Sequence, residues 1–151
     1  MDKKEFERIM DQAIEAEVES YEFYRDVASK ATNPAVKQLF TEFAREEYGH
    51  KEQLEELKAR GIQDFNFAGA TDYKVSETVD LPLLSADMKP ADAIALAMKK
   101  EAAAVKIYSH LASSVSDPAI QRIYTELAQM ETEHKARMED LYTNMAFGEV
   151  W

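Results

Sequence analysis

Apolar residues recur at three- and four-residue steps through four long stretches of the chain. Met10, Ala13, Ile14, Glu17, Tyr21, Tyr24, Val27 and Ala28 fall on one helical face. Val36, Leu39, Phe40, Phe43, Glu47, His50, Leu54 and Leu57 define a second. Ile94, Ala97, Met98, Glu101, Val105, Tyr108 and Leu111 define a third, and Ile120, Ile123, Tyr124, Leu127, Glu131, His134, Met138 and Leu141 a fourth. Four amphipathic helices and no strand pattern predict an all-α protein.

The breaks between stripes carry helix-start chemistry. Asn33-Pro34 and Asp117-Pro118 each set a capping side chain before a proline at the first helical position. Connections this short make helices one and two antiparallel neighbours, and likewise three and four. Gly61 is placed to cap the second helix at its C-terminus. From 61 to 89 the helical period is lost, and so long a connection is unusual unless it must travel. The pattern predicts a four-helix bundle of two hairpins, about 3–60 and 90–145, joined by a crossover over about 61–89. The apolar residues of that crossover, among them Phe65, Phe67, Leu81, Leu83 and Leu84, are expected to pack down. The whole, 1–151, reads as one domain.

The two hairpins are copies of each other. Aligned without gaps, 13–59 and 97–143 share 15 identities in 47 positions. Among them Glu17, Tyr24, Glu47 and His50 recur 84 residues later as Glu101, Tyr108, Glu131 and His134. A period that long, present twice, is a duplicated hairpin rather than a solenoid repeat.

All six Glu and His residues of this set lie inside apolar stripes. Glu47 and His50 are three apart, as are Glu131 and His134, so each pair shares a helix face. Burying one ionised carboxylate without a partner costs roughly tens of kcal/mol by Born estimates. Protonation, a basic partner or a cation could resolve that cost, and no Lys or Arg falls in the inner stripe nearby. Four carboxylates balance two divalent ions. Mixed oxygen and imidazole ligation suits iron or manganese, and zinc would also bind.

Composition narrows the field. A net charge of −11 argues against nucleic acid or an anionic membrane as partner. The chain has no cysteine, which removes thiolate catalysis, disulfides and Cys-ligated metal. No run approaches the eighteen or so apolar residues of a membrane span, and Met1-Asp2-Lys3-Lys4-Glu5-Phe6 lacks a signal peptide's apolar stretch. A cytoplasmic location is expected. His110 aligns with Asp26 and reads as a surface histidine, while Glu42 and Glu126 fall beside the stripes. The seven methionines sit on helical stripes as core residues.

On these residues the chain resembles the ferritin-like di-iron carboxylate proteins, and within them the rubrerythrin group. Glu17 and Glu101 match that family's single-Glu helices, and Glu47-Tyr48-Gly49-His50 and Glu131-Thr132-Glu133-His134 its Glu-x-x-His helices. Tyr24 and Tyr108 match tyrosines that hydrogen-bond metal-bound carboxylates there; read without the family, they are core aromatics whose hydroxyls need a partner. The resemblance implies two iron ions held by Glu17, Glu47, His50, Glu101, Glu131 and His134. It implies reduction of hydrogen peroxide or dioxygen, and a homodimer. Rubrerythrins proper carry a second, cysteine-rich iron domain, absent from this sequence, so a separate electron-donor protein is expected. They also place one more Glu a turn along the third helix, where this chain has Ala104 and Val105. The alternative is non-enzymatic iron oxidation for storage. Cage-forming ferritins have a further C-terminal helix, for which the six residues from Ala146 to Trp151 are too few.

Overall fold

A computed structural model of the chain describes residues 2–61, 67 and 69–148, with side chains through Met145. Four α-helices run α1 (Lys3–Lys30), α2 (Pro34–Arg60), α3 (Pro90–Ser114) and α4 (Pro118–Gly148). A 3-10 turn, Val75–Thr78, interrupts the connection between α2 and α3. No strand occurs among the described residues. The chain forms two compact units, Met1–Asn66 and Phe67–Trp151.

The first unit is the α1–α2 hairpin. Asp2 and Glu5 form a reciprocal capping box that starts α1, with the Glu5 amide donating to Asp2 Oδ1 at 2.8 Å. The chain turns at Ala31–Asn33, where Asn33 Oδ1 accepts from the amides of Ala35 at 2.9 Å and Val36 at 3.4 Å. Gly61 closes α2 at φ 100°, a value that disfavours any side chain, and its amide donates to the Leu57 carbonyl at 2.9 Å. The interior holds Ile9, Met10, Val36 and Leu54 and an aromatic group in which Tyr24 meets Phe40 and Phe43 at ring distances of 5.9 and 5.6 Å.

The second unit is the α3–α4 hairpin with the crossover segment attached. Asp117 repeats the role of Asn33, accepting the Ala119 amide at 2.9 Å. The buried interior here includes Ile94, Met98, Ile123, Leu127, Met130 and Met138, with Tyr124 at the position of Phe40.

The crossover does lie against α4, but not by the means expected of it. Leu81, Leu83 and Leu84 are exposed, and Phe65 lies outside the described residues. Instead its backbone amides donate to carboxylates on α4: Phe67 to Glu126 at 2.6 Å, Gly69 to Glu133 at 3.1 Å and Ser76 to Glu139 at 2.6 Å. A connecting segment leaves its amides without helical or sheet partners, and charged acceptors satisfy them strongly. Glu126 is thus an anchor of the crossover.

Candidate metal centre

In the first unit Glu17 sits midway along α1, and Glu47 and His50 lie one turn apart on α2. His50 Nδ1 lies 3.6 Å from Glu17 Oε2 and 3.5 Å from Glu47 Oε2. In the second unit His134 Nδ1 lies 3.9 Å from Glu101 Oε2 on α3 and 3.3 Å from Glu131 Oε2 on its own helix. Each hairpin therefore brings together one Glu–Glu–His triad by the same construction. One carboxylate comes from the histidine's own helix, three residues earlier, and the other from the neighbouring helix.

Burial gives these triads their chemistry. Glu17, Glu47 and Glu101 are 4% exposed and Glu131 is 3%. Such depletion of water around carboxylates raises the electrostatic stake of any positive charge nearby. His50 registers it directly. Burial works to lower its pKa, the carboxylates of Glu17 and Glu47 outweigh burial, and the imidazole ends raised from 6.5 to about 10. The carboxylate charge that raises His50 is charge that a bound cation would also offset. The donor set of each triad, two carboxylates and an imidazole, fits a borderline divalent metal. Glu101, Glu131 and His134 place one ligand atom each within 4.8 Å of one another, close enough to share an ion.

Both tyrosines lie on the helices that supply the single glutamates, seven residues beyond them. Their surroundings differ: Tyr24 is 1% exposed inside the aromatic group, whereas Tyr108 is half-buried. His110 is exposed, as its alignment with Asp26 suggests. Ala104 is half-buried on α3.

One cluster escaped sequence reasoning. Lys135, 2% exposed, donates to Asp72 Oδ1 and Oδ2 at 3.0 and 3.1 Å and to Glu77 Oε1 at 2.9 Å. Burial works to lower the Lys135 pKa, and the hydrogen bonds to Glu77 and Asp72 override it and raise the group. Lys135 and Glu139 have repeat counterparts in Lys51 and Glu55, which pair at 3.1 Å on the surface of the first unit. The repeat of Lys135 and Glu139 was thus visible in the sequence. Nothing there signalled that the crossover would bury one copy.

Two antiparallel hairpins, each with a buried Glu–Glu–His triad, are the mark of the four-helix di-iron carboxylate proteins. The family model for rubrerythrin, the ferritin-like erythrin domain, matches residues 8–142. The chain belongs to the rubrerythrin family, a family of di-iron carboxylate proteins with the ferritin-like four-helix fold. No curated protein and no solved structure matches it. None of the described helices is long and apolar enough to cross a membrane.

Proposed function

We propose that the chain is an oxidoreductase that reduces hydrogen peroxide with electrons from a separate donor protein. The observation that carries this reading is the same buried Glu–Glu–His triad in both halves of a rubrerythrin-family chain. In it Glu17, Glu47 and His50 are ligands from the first hairpin, and Glu101, Glu131 and His134 from the second. Bound there as a ferrous pair, iron would supply the two electrons that, with two protons, convert peroxide to two waters.

The protein's own part is charge, order and exclusion of water. Four carboxylates offset four positive charges, so the loaded interior is near neutral. His50 would give up its proton to a bound ion and hold it as a neutral nitrogen ligand. Tyr24 and Tyr108 would hold ligating carboxylates by hydrogen bonds, the partners such carboxylates need for fixed orientation. The donor atoms also accept manganese or zinc, and zinc would leave the site redox-silent. Because the sequence contains no cysteine, the electrons come from a donor outside it. The working form is a homodimer.

The test is stopped-flow mixing of anaerobically reduced, iron-loaded protein with peroxide and, separately, with dioxygen. Ferric absorption should develop faster with peroxide than with oxygen, and much faster than for free ferrous iron. Oxidation by peroxide no faster than the free ion removes the peroxidase reading. Preference for oxygen together with a shell-sized particle on size exclusion would point to storage instead.

A further inference from the structure

The outer surface of the first hairpin carries a groove of about 370 Å³, lined by Tyr21, Arg25, Thr41, Ala44, Arg45 and Tyr48. Its walls are aromatic. The Tyr21 and Tyr48 rings, one from α1 and one from α2, lie 5.5 Å apart, and Tyr48 is 43% exposed. Its charges are cationic. Arg25 stands over the Tyr21 ring at 5.3 Å and Lys51 over the Tyr48 ring at 4.7 Å. Lys51 is neutralised by Glu55 at 3.1 Å, whereas Arg25 and Arg45 make no ion pair among the described residues. In a chain of net charge −11, none of the residues lining the groove is acidic.

The repeat shows that these features are not part of the hairpin's basic construction. Thr41 and Ala44 recur 84 residues later as Thr125 and Ala128. Tyr21, Arg25, Arg45 and Tyr48 do not, and Val105, Ser109, Gln129 and Thr132 take their places. Both rings and both charges thus belong to one copy alone. The second copy's face is also occupied. Gly69 of the crossover sits against Gln129, so close that an added Cβ would meet Gln129 Cγ at 3.6 Å. The amides of Phe67 and Gly69 donate to Glu126 and Glu133 on the same helix. The equivalent face of the first unit is the open groove.

Tyrosine rings beside two guanidiniums suit one class of ligand. Aromatic walls take a planar ring by stacked or edge contacts. Guanidiniums bind oxyanions in a two-pronged geometry that phosphate matches. A phosphate monoester carries about −1.5 to −2 charges at neutral pH, which two arginines balance. The groove's volume falls within the range of small-molecule sites, about 300–1,000 Å³. We infer that this groove binds a planar aromatic ring carrying a phosphate, with the ring against Tyr21 and Tyr48 and the phosphate held by Arg25 and Arg45. Flavin and purine mononucleotides share that chemistry. No Glu or His of the triads lines the groove, so the site stands whether or not the metal centre reduces peroxide.

The probes are flavin mononucleotide, whose emission is quenched on contact with tyrosine, and adenosine monophosphate, followed by calorimetry. Wild type should bind at least one of them saturably, and the tighter of the two identifies the ring the groove fits. Riboflavin and adenosine, which lack the phosphate, should bind at least about tenfold more weakly. Arg25→Gln and Arg45→Gln should each weaken nucleotide binding by about tenfold, as loss of one charge-assisted contact does. Both arginines are exposed, so these variants should fold and melt as wild type does. Tyr48→Leu should weaken the nucleotide and its phosphate-free form alike. Arg60→Gln, an exposed change on the same hairpin, should bind as wild type. Added salt should weaken the nucleotide and leave riboflavin or adenosine unaffected. Binding of neither nucleotide, arginine variants that match wild type, or equal affinity with and without the phosphate overturns the proposal. So does a wild-type dimer that binds no nucleotide and becomes monomeric in the arginine variants, which would give this face to a second copy of the chain.

Discussion

The two hairpins share a triad but pack differently around it. The first is packed through aromatic rings, with Phe40 and Phe43 at 6.0 Å from each other and both on Tyr24, and its Lys51–Glu55 pair is left at the surface. The second has Tyr124 and Leu127 in place of Phe40 and Phe43 and clasps the crossover through Glu126, Glu133 and Glu139. Duplication followed by divergence thus spared the six Glu and His residues while core and outer surface changed around them. Constraint at those six positions is what a shared metal chemistry would produce, because ligands tolerate few substitutes and packing tolerates many.

The largest expected break in the comparison is in the aromatic core. Phe40→Ala should destabilise the protein by about 3–5 kcal/mol, the usual cost of emptying a large buried ring site. Phe43→Leu, which imports the second hairpin's residue, should cost less than about 1.5 kcal/mol. Urea denaturation of both variants checks this, and equal losses would mean that ring packing is not what holds the first hairpin.

Next comes the clasp. Glu139→Ala leaves the Ser76 amide and hydroxyl without their acceptor and should cost about 1–3 kcal/mol. Its counterpart Glu55→Ala, a surface change, should cost less than about 0.5 kcal/mol. Hydrogen exchange at the Ser76 amide should quicken in the first variant and not in the second.

The pH dependence follows from His50, whose pKa is raised from 6.5 to about 10 by Glu17 and Glu47 against the pull of burial. The stability its charge lends the metal-free protein is fully present below pH 6.5 and is lost as pH rises through 10. A metal must displace that proton. Zinc affinity of the folded protein should therefore rise by about tenfold per pH unit below the raised pKa, a change of about 1.4 kcal/mol per unit. His50→Gln should remove this part of the slope in competition titrations.

The smallest effect concerns Gly49, the counterpart of Glu133. A Cβ there meets nothing within 4 Å, so neither space nor a crossover contact requires glycine. Gly49→Ala should stabilise the first hairpin by up to about 1 kcal/mol, seen as a higher melting temperature.

The helices, the paired Asn33 and Asp117 caps and the burial of the four glutamates were legible because each leaves a periodic or positional mark. Helical stripes show in any sequence whose faces differ in polarity. The crossover left no such mark. Its anchoring donors are backbone amides, which every residue carries, and its apolar residues Leu81, Leu83 and Leu84 point to solvent. Lys135 and Glu139 looked like any exposed i,i+4 pair for the same reason. Only the path of a distant segment decided that this copy is buried and the Lys51–Glu55 copy is not. Tyr24 and Tyr108 match in sequence yet differ in burial, since their neighbours diverged.

The most direct test of the shared triads is anaerobic ferrous iron titration in magnesium-containing buffer, read as ions retained per chain. Wild type should hold two, and Glu47→Ala and His134→Ala should each lose tightly bound iron although they alter different hairpins. A wild-type value near zero, or full retention in either variant, would contradict a metal centre built from both repeats.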